Sequence, residues 1–359
     1  MDAAPVIQRD SPLPRVSVLM TTYNGAAFIA RSIDSVLSQT WRDFELLVVD
    51  DASTDGTPEI LHGCRDSRLR IIRHARNSGI VVARNTGFAA ASGEFVAALD
   101  HDDLSHPERL RRQVAHLDSN PNIVLLGTEV RLDSAGRQQP PDHPAAGDPL
   151  ALRWLLLTDN PLTWSSVMFR TDAVRRLGTF LRPEFELADD FDFYHRLLRI
   201  GDIARLNDVL TTYRFHAASA SSHNATRLDQ NAARVLAAAY APWLGAEATE
   251  SAVPAVQHWL NRQPPRDAAT LDRLGDTLQR LLAGFCAAGN PGSAAPDRIA
   301  ALAGDIWWRT VRSATRAGSP WLLGRRYAYP ALTSGLRPSR RDAIGSVAVG
   351  LARACLGRR

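Results

Sequence analysis

The first hundred residues alternate short apolar runs with segments of helical periodicity, and this alternation restricts the fold more than any other feature of the chain. Strands that alternate with helices of about 10–15 residues form βαβ units. The pattern therefore predicts an α/β fold with a Rossmann-like, mainly parallel sheet flanked by helices. The expected strands are 16–20, 44–49, 69–72 and 95–99, and the expected helices are 28–37, 81–91 and 107–120.

Beyond residue 121 the pattern becomes mixed, and after about residue 225 it is helical and rich in Ala, Arg and Leu. We expect an N-terminal extension at 1–13, an α/β domain at 14–225, and a helical C-terminal region with a basic tail at 226–359. The mixed part predicts strands at 123–127, 165–169 and 209–215, a loop at 133–149 and a helix at 189–200.

Polar clusters follow the first, second and fourth strands, as TTYNG at 21–25, DD at 50–51 and DHDD at 100–103. Ligands of parallel sheets collect at the carboxyl ends of the strands. The first turn lacks the G-x-G-x-x-G fingerprint, so two acidic loops stand in place of a glycine cradle for phosphate. Carboxylates repel a diphosphate unless a divalent cation lies between them. All-oxygen ligands suit Mg²⁺ or Mn²⁺.

The chain contains no lysine, because all 42 residues of the Lys+Arg count are arginine. Chemistry that needs a side-chain amine is therefore excluded: Schiff-base aldolases, pyridoxal-phosphate enzymes, and P-loop or kinase phosphate sites. Sugar-1-phosphate nucleotidyltransferases, which use a similar sheet with a glycine-rich first loop and catalytic lysines, are disfavoured for the same reason.

The cellular compartment is indicated by the N-terminus and the cysteines. The N-terminal MDAAPVIQRD has an early acid and lacks the apolar stretch of a secretory signal. The three cysteines, Cys64, Cys286 and Cys355, are far apart and odd in number, which predicts neither a disulfide framework nor a zinc cluster. These features predict a protein of the reducing cytoplasm.

Five motifs in order resemble family 2 of the glycosyltransferases, over roughly residues 14–222. The resemblance implies the GT-A fold and an inverting transfer from a nucleotide sugar. A UDP-sugar is the expected donor by its prevalence in the family, with dTDP- and GDP-sugars as the alternatives. The motifs are VSVLMTTYNG, SIDSVLSQTWRDFELLVVDDASTDGT, ARNTGFAAASGEFVAALDHDD, LADDFDFYHRL and YRFHAASAS.

The resemblance assigns several residues to the nucleotide. Thr21, Tyr23 and Asp51 match positions that hold the base and ribose, and Asn24 belongs to the same loop. The alternative for Tyr23 is an aromatic residue of the core. Arg84 and its neighbour Asn85 match a motif near the diphosphate, and a buried structural ion pair is the alternative for the arginine.

The acidic loop at 100–103 resembles the family's D-x-D motif. The resemblance implies that Asp102 is the direct metal ligand and that Asp100 contacts the ribose or the metal shell. It places Asp103 either behind Asp100 and Asp102, in a supporting position, or on the acceptor side of the site. His101 stands where the family usually has a small residue, and we expect it to point to solvent. Helix capping explains one of these acids but not all three.

The resemblance also supplies a catalytic base and a histidine. Asp190 matches the position of the family's general base. Asp189 matches the position of that base's partner, which in the family is a glutamate, one methylene longer. A helix start is the alternative for either aspartate alone. His216 matches a position that contacts the metal or the leaving diphosphate, with a structural histidine as the alternative.

The formal charge of the chain is concentrated in residues 306–359, which hold eleven arginines and one acid, Asp342. This basic tail also carries aromatic residues and a short apolar stripe. Such a segment suits the anionic cytoplasmic face of a membrane, and the alternative is a helical subdomain with its aromatics inside. Nothing resembles a nucleic-acid-binding module. The aromatics are Trp307, Trp308, Trp321, Tyr327 and Tyr329, and the stripe is Ile344, Val347, Leu351 and Ala354.

Two functions remain open from the sequence. The first is an active, Mg²⁺- or Mn²⁺-dependent glycosyltransferase acting on a glycan or lipid-linked acceptor. The second is an inactive nucleotide-sugar-binding or membrane-associated scaffold protein. Asp51, Asp100, Asp102 and Asp190 are all present, which favours the enzyme. The donor sugar, the linkage and the oligomeric state are left open.

Overall fold

The computed structural model describes residues 13–134, 137–139, 147–216, 224–288, 295–333 and 340–356. The strands are β1 Val16–Thr22, β2 Phe44–Asp50, β3 Leu69–Arg73, β4 Phe95–Ala98, β5 Leu104–Ser105, β6 Ile123–Ser134, β7 Arg137–Gln139, β8 Met168–Arg170 and β9 Asp202–Phe215.

The described helices are α1 Ile29–Leu37, α2 Thr57–Gly63, α3 Ile80–Ala90, α4 Arg109–Ser119, α5 Pro149–Leu155, α6 Thr171–Arg176, α7 Asp189–Leu197, α8 Ala225–Leu244, α9 Ala248–Ala255, α10 Ala268–Ala288, α11 Ala295–Arg316, α12 Pro330–Thr333 and α13 Arg340–Leu356. Short 3₁₀ turns lie at Trp164–Ser166, Pro183–Phe185, Gly245–Glu247 and Pro320–Tyr327, and a π-helical turn at Val256–Leu260.

The chain divides into two compact units. The first comprises Met1–Ala145, Leu162–Pro183 and Arg196–Ser219, and the second comprises Ala146–Pro161, Glu184–His195 and Ala220–Arg359. Two internal segments thus join the C-terminal helices, whereas the sequence suggests one continuous domain at 14–225. Side chains of α8 explain this, because the Tyr240 hydroxyl donates to Leu157 O and the Asn231 amide donates to Glu186 O.

The first unit is built on a nine-stranded sheet in the order β3-β2-β1-β4-β8-β6-β9-β5, with β7 paired to β6. β1, β2 and β4 are completely buried, as expected for parallel strands covered on both faces. They run parallel, with Thr22 opposite Asp50 and Leu19 opposite Ala98. The three polar clusters that follow these strands therefore lie at one edge of the sheet.

The remaining strands make the sheet mixed. β8 runs antiparallel to both β4 and β6, whereas β6 and β9 run parallel. β6 and β9 extend beyond the predicted 123–127 and 209–215. The added residues, 128–134 and 202–208, are mostly polar, so no apolar run marks them in the sequence. The predicted strand at 165–169 is largely wrong, since residues 164–166 form a 3₁₀ turn and β8 begins at Met168.

Gly93 sets the close approach of β4 to β1. A Cβ atom at this position would lie 2.5 Å from the backbone nitrogen of Ser17 and 2.8 Å from the backbone oxygen of Phe95. Backbone atoms cannot move aside, so only glycine fits. The approach matters because β4 leads directly into the acidic loop.

The second unit is helical, as the composition after residue 225 predicts. Its core includes Tyr240, Leu278 and Trp307, all fully buried. Trp154 of α5 packs edge-on against Phe285 of α10, with ring centroids 5.4 Å apart. Among the described residues, no helix combines the length and the apolar character required to cross a bilayer.

Candidate active site

Three carboxylates crowd the loop that follows β4. One oxygen from each of Asp100, Asp102 and Asp103 lies within 4.8 Å of the others. Asp103 is fully buried, whereas Asp100 and Asp102 remain partly accessible. Like charges at this separation repel strongly, so neighbouring groups must offset the repulsion.

Arg84 of α3 is the cation next to Asp100. Its Nη2 donates to Asp100 Oδ1 at 3.0 Å, and its guanidinium lies 4.2 Å from the ring centroid of Trp164. The backbone nitrogen of Asp100 donates to the hydroxyl of Ser165 at 3.0 Å. Burial raises the pKa of Asp100, the Arg84 charge opposes this, and the Asp102 charge adds to it.

Asp103 lies beneath the loop and is held by the protein itself. Its Oδ1 accepts from the backbone nitrogen of Arg214 at 2.9 Å. Burial, followed by the charges of Asp102 and Asp100, raises its pKa well above the usual range. Arg109 is also fully buried and donates to the carbonyls of Ala98 and Val167; burial lowers its pKa to about 9. The buried position of Asp103 therefore suits a role in supporting the loop from below.

His216 and Arg214, at the end of β9, close the loop from another side. His216 Nε2 lies 2.9 Å from Asp102 Oδ2, and its ring stacks on Phe28 with centroids 4.4 Å apart. Arg214 Nε donates to the Asp102 carbonyl, and its Nη2 donates to Ser32 Oγ at 2.8 Å. The acidic loop is thereby tied to the start of α1 and the end of β9.

The loop after β1 presents an aromatic ring to solvent. Tyr23 is 46% exposed, so it is not the core aromatic of the alternative interpretation. Asn24 adopts a φ of 52°, and its side-chain oxygen accepts from the backbone of Thr54 at 2.9 Å. Thr21 is buried, and its carbonyl faces Nδ1 of His101 at 3.3 Å.

His101 therefore does not point to solvent. A Cβ atom on Gly25 would lie 2.5 Å from the His101 ring, so the ring packs on the first loop.

Asp51 holds the start of α3. Its Oδ1 lies 2.7 Å from Nδ1 of His74, and its Oδ2 accepts from the backbone nitrogen of Gly79 at 2.8 Å. The carboxylate is buried. Contacts within the protein thus order the second loop, and a nucleotide contact by Asp51 stays a prediction.

Asn85 of α3 makes two hydrogen bonds with the backbone of Leu181, donating to its oxygen at 2.9 Å and accepting from its nitrogen at 3.0 Å. In the described structure, Asn85 therefore holds the backbone at Leu181 in place. Its assignment to the nucleotide likewise stays a prediction.

Asp189 and Asp190 belong to the second unit, at the first turn of α7. Asp189 is buried and Asp190 is half-buried. Asp190 Oδ1 accepts from the backbone nitrogen of Phe191 at 2.6 Å, and its Oδ2 accepts from the side-chain nitrogen of Asn160 at 3.3 Å. Leu187, just before the helix, has a φ of 75°, which turns the chain into α7.

The segment that carries Asn160 is anchored at several points within the second unit. Arg262 Nη2 pairs with Asp159 Oδ2 at 2.7 Å, and the Tyr240 hydroxyl donates to Leu157 O at 2.6 Å. His195 Nε2 lies 3.1 Å from Leu156 O. A rigid segment therefore presents the Asn160 amide to Asp190.

The first unit contains ten of the twelve residues selected from the sequence: Thr21, Tyr23, Asn24, Asp51, Arg84, Asn85, Asp100, Asp102, Asp103 and His216. Sequence reasoning missed Ser165, Arg109, Arg214 and Asn160. Arg214 stood beside His216 in the YRFH motif and could have been noticed there. The others carry no local signal, because their contacts join distant parts of the chain.

The acidic loop fits a divalent cation. Three carboxylates are hard oxygen donors, which match the preferences of Mg²⁺ and Mn²⁺, and the imidazole beside Asp102 adds a borderline nitrogen donor. Burial, and after it the charges of neighbouring carboxylates, raises the pKa values of Asp100 and Asp103, and a cation would relieve the repulsive part. Asp102, with His216 beside it, is the accessible pair.

Comparison with known proteins is consistent with this geometry. The model of Glycosyl transferase family 2 matches residues 17–178. The putative glycosyltransferase EpsE of Bacillus subtilis is 33% identical over 193 residues, which cover 52% of this chain and 68% of that protein.

Solved structures share the fold over most of the chain. S. aureus TarS 1–349 in complex with UDP-GlcNAc aligns with a TM-score of 0.57 and 19% identity, covering 96% of this chain and 92% of that one. A mannosyltransferase from Pyrobaculum calidifontis, in complex with GDP-Man and Mn²⁺, aligns with a TM-score of 0.51 and 21% identity, covering 95% and 88%. At these identities the similarity shows the GT-A fold alone.

We predict that the Asp103→Asn variant becomes more stable relative to wild type as the pH rises above about 4. Stability is the free energy of unfolding in urea, measured in the presence of EDTA. The pKa of Asp103 is raised in the folded state, so this carboxyl contributes stability below its unfolded value of 3.8 and loses it as the pH rises through the folded value. Asparagine does not titrate. The difference between the two urea unfolding free energies should therefore grow with pH.

Asp66→Asn is the matched control with the opposite sign. Arg68 lowers the pKa of Asp66 to about 2, so this variant should lose stability at neutral pH and recover it only as the pH falls towards that value. A difference for Asp103→Asn that stays flat or shrinks with rising pH would contradict the burial argument.

Proposed function

The chain belongs to glycosyltransferase family 2, and we propose that it is a metal-dependent, inverting enzyme that transfers a hexosyl group from a nucleotide sugar. The proposed donor is a UDP-sugar, and the proposed acceptor is a hydroxyl group of a glycan or a lipid-linked glycan. The observation that carries this proposal is the crowded carboxylate loop at the strand ends, with Arg84 and His216 beside it.

The donor site is assigned to the first unit. Tyr23 offers an exposed ring for the base, and Thr21 and Asn24 shape the loop around the ribose. Asp102 and His216 would hold Mg²⁺ or Mn²⁺. The cation, when bound, supplies positive charge that stabilises the leaving diphosphate. Arg84 adds a fixed positive charge next to Asp100.

The acceptor chemistry is assigned to Asp190. Its carboxylate takes the proton from the acceptor hydroxyl while the hydroxyl oxygen attacks the anomeric carbon of the sugar. The bond between that carbon and the diphosphate oxygen breaks at the same time, and its electrons leave with the nucleoside diphosphate. A single displacement of this kind inverts the configuration of the sugar.

Ligands of the structural relatives support the donor class and the cation. TarS was solved with UDP-GlcNAc, and the Pyrobaculum mannosyltransferase with GDP-Man and Mn²⁺. Both are nucleoside diphosphate sugars, and the second structure pairs such a donor with a divalent cation. The choice of UDP follows the prevalence of UDP-sugar donors in the family.

Asn160 is proposed to orient the base. Its side-chain nitrogen donates to Asp190 Oδ2, and Arg262, Tyr240 and His195 fix the segment that carries it. A donated hydrogen bond favours the ionised carboxylate, which is the form that accepts a proton. Asn160 is thus a positioning residue that acts through Asp190.

We predict that Asp190→Asn lowers kcat at least about 100-fold, the lower end of what a general base contributes. Binding of the nucleoside diphosphate should stay near the wild-type level, because Asp190 is assigned to the acceptor. Release of nucleoside diphosphate from a panel of nucleotide sugars, with Mn²⁺ or Mg²⁺ and acceptor present, measures the first quantity. Calorimetry measures the second.

Asp172→Asn serves as the matched control, because it removes an exposed carboxylate from α6 and should leave kcat unchanged. Full activity of Asp190→Asn would show that the base is misassigned. A wild-type protein that binds nucleotide sugars but transfers none to any acceptor or water would favour the scaffold alternative.

We predict a graded effect at Asn160. Asn160→Leu removes the donor at similar volume, and Asn160→Asp adds a second carboxylate beside Asp190. Both substitutions favour the protonated form of Asp190, so the acid limb of the pH profile of kcat should move to higher pH. The move should be larger for the aspartate variant. We expect kcat at neutral pH to fall about 10-fold, with KM for the donor unchanged.

Asn207→Leu makes the same exchange at an exposed position and should leave the profile unchanged. If Asn160 only supported the fold, both variants would lose stability while their pH profiles stayed at the wild-type position. That outcome would remove the positioning role without touching the assignment of Asp190.

A further inference from the structure

The C-terminal helix α13 turns Ser346 and Gly350 towards the protein and exposes Ile344 and Leu351. Ser346 and Gly350 face the protein, and a Cβ atom on Gly350 would lie 2.1 Å from the carbonyl oxygen of Thr315 in α11. The opposite face carries Ile344, which is 70% exposed, and Leu351, which is 51% exposed. This arrangement reverses the usual pattern of a helix packed on a globular protein.

The exposed face of α13 is continuous. Ala348 and Ala352 are also exposed, and together with Ile344 and Leu351 they occupy positions i, i+4, i+7 and i+8 of the helix. These positions share one side of an α-helix. The stripe read from the sequence is thus corrected in part, because Val347 and Ala354 are half-buried.

A second exposed apolar element lies next to α13. The 3₁₀ segment Pro320–Tyr327 contacts the helix, and Pro320 Cβ lies within 3.6 Å of the Cβ position of Gly350. In this segment Trp321 is 69% exposed and Tyr327 is 66% exposed, whereas Leu322 is buried. Exposed Trp and Tyr are typical of surfaces that lie at the interface of a bilayer.

The surroundings of these apolar groups are positively charged. Residues 306–359 contain eleven arginines and the single acid Asp342. Arg326 stacks on Tyr327 at 4.3 Å, and Arg353 donates to the carbonyl of Arg316. Arg325 is paired with Asp272 of α10, which neutralises one of these charges. The excess of cationic groups calls for an anionic partner.

We propose that α13 and the segment 320–327 form a docking surface for an anionic phospholipid bilayer. The helix lies in the headgroup region with Ile344 and Leu351 inserted, while the arginines meet the lipid phosphates. A second copy of the chain fits less well, since a symmetric contact through this surface would bring two strongly basic segments together.

The test uses the full chain and vesicles of phosphatidylcholine with or without about 30% phosphatidylglycerol, a content that gives a negative surface potential. Wild type should co-sediment with the anionic vesicles at low salt and not with pure phosphatidylcholine. The double variant Ile344→Gln, Leu351→Gln should bind the anionic vesicles at least 10-fold more weakly. Both side chains are exposed, so the variant should fold normally.

Val253→Gln, an exposed valine of α9, is the matched control and should bind as wild type does. Affinity for UDP should be unchanged in all three proteins, which separates this proposal from the assigned donor site. The proposal is overturned if wild type ignores anionic vesicles or if the double variant binds them equally well. A dimer in analytical ultracentrifugation that the double variant abolishes would assign the surface to a second copy instead.

Discussion

The structure of the candidate site depends on holding three carboxylates within 4.8 Å of one another at the end of β4. Burial, and after it the neighbouring carboxylate charges, raises the pKa values of Asp100 and Asp103, and the loop is disfavoured unless hydrogen-bond donors and positive charges compensate. Arg84 and the imidazole of His216 approach from the sides, and Arg109 and Arg214 hold the backbone around the buried Asp103. A divalent cation would complete this compensation at the accessible Asp102.

Much of this arrangement can be predicted from the sequence, because it follows from local patterns. Apolar runs identify the parallel strands, and parallel strands end at one edge, so the clusters at 21–25, 50–51 and 100–103 had to converge there. The lengths of β6 and β9 could not be predicted, because their added residues are mostly polar and their pairing joins distant parts of the chain. The hydrogen bond from Asn160 to Asp190 was equally hidden, because it depends on how two distant segments pack in the second unit.

Within the basic tail, the structure separates buried from exposed aromatic residues, which composition alone does not distinguish. Trp307 and Tyr329 are buried, and the Tyr329 hydroxyl donates to Asp272 O, as the subdomain interpretation predicts. Trp321 and Tyr327 are exposed beside the apolar face of α13, as the membrane interpretation requires. The subdomain interpretation thus describes the buried residues, and membrane contact by the exposed ones stays a proposal. In a chain without lysine, every contact of this tail with an anionic group must be made by arginine.

We propose that the carboxylate loop binds a nucleoside diphosphate only through a divalent cation, so removal of the cation should abolish most of the affinity. Calorimetric titration of the full chain with UDP, in Mn²⁺ and then in EDTA, measures this difference. We expect binding in Mn²⁺ that weakens at least about 100-fold in EDTA, because the carboxylates then repel the diphosphate. UDP that binds equally well in EDTA would overturn the proposed role of the cation.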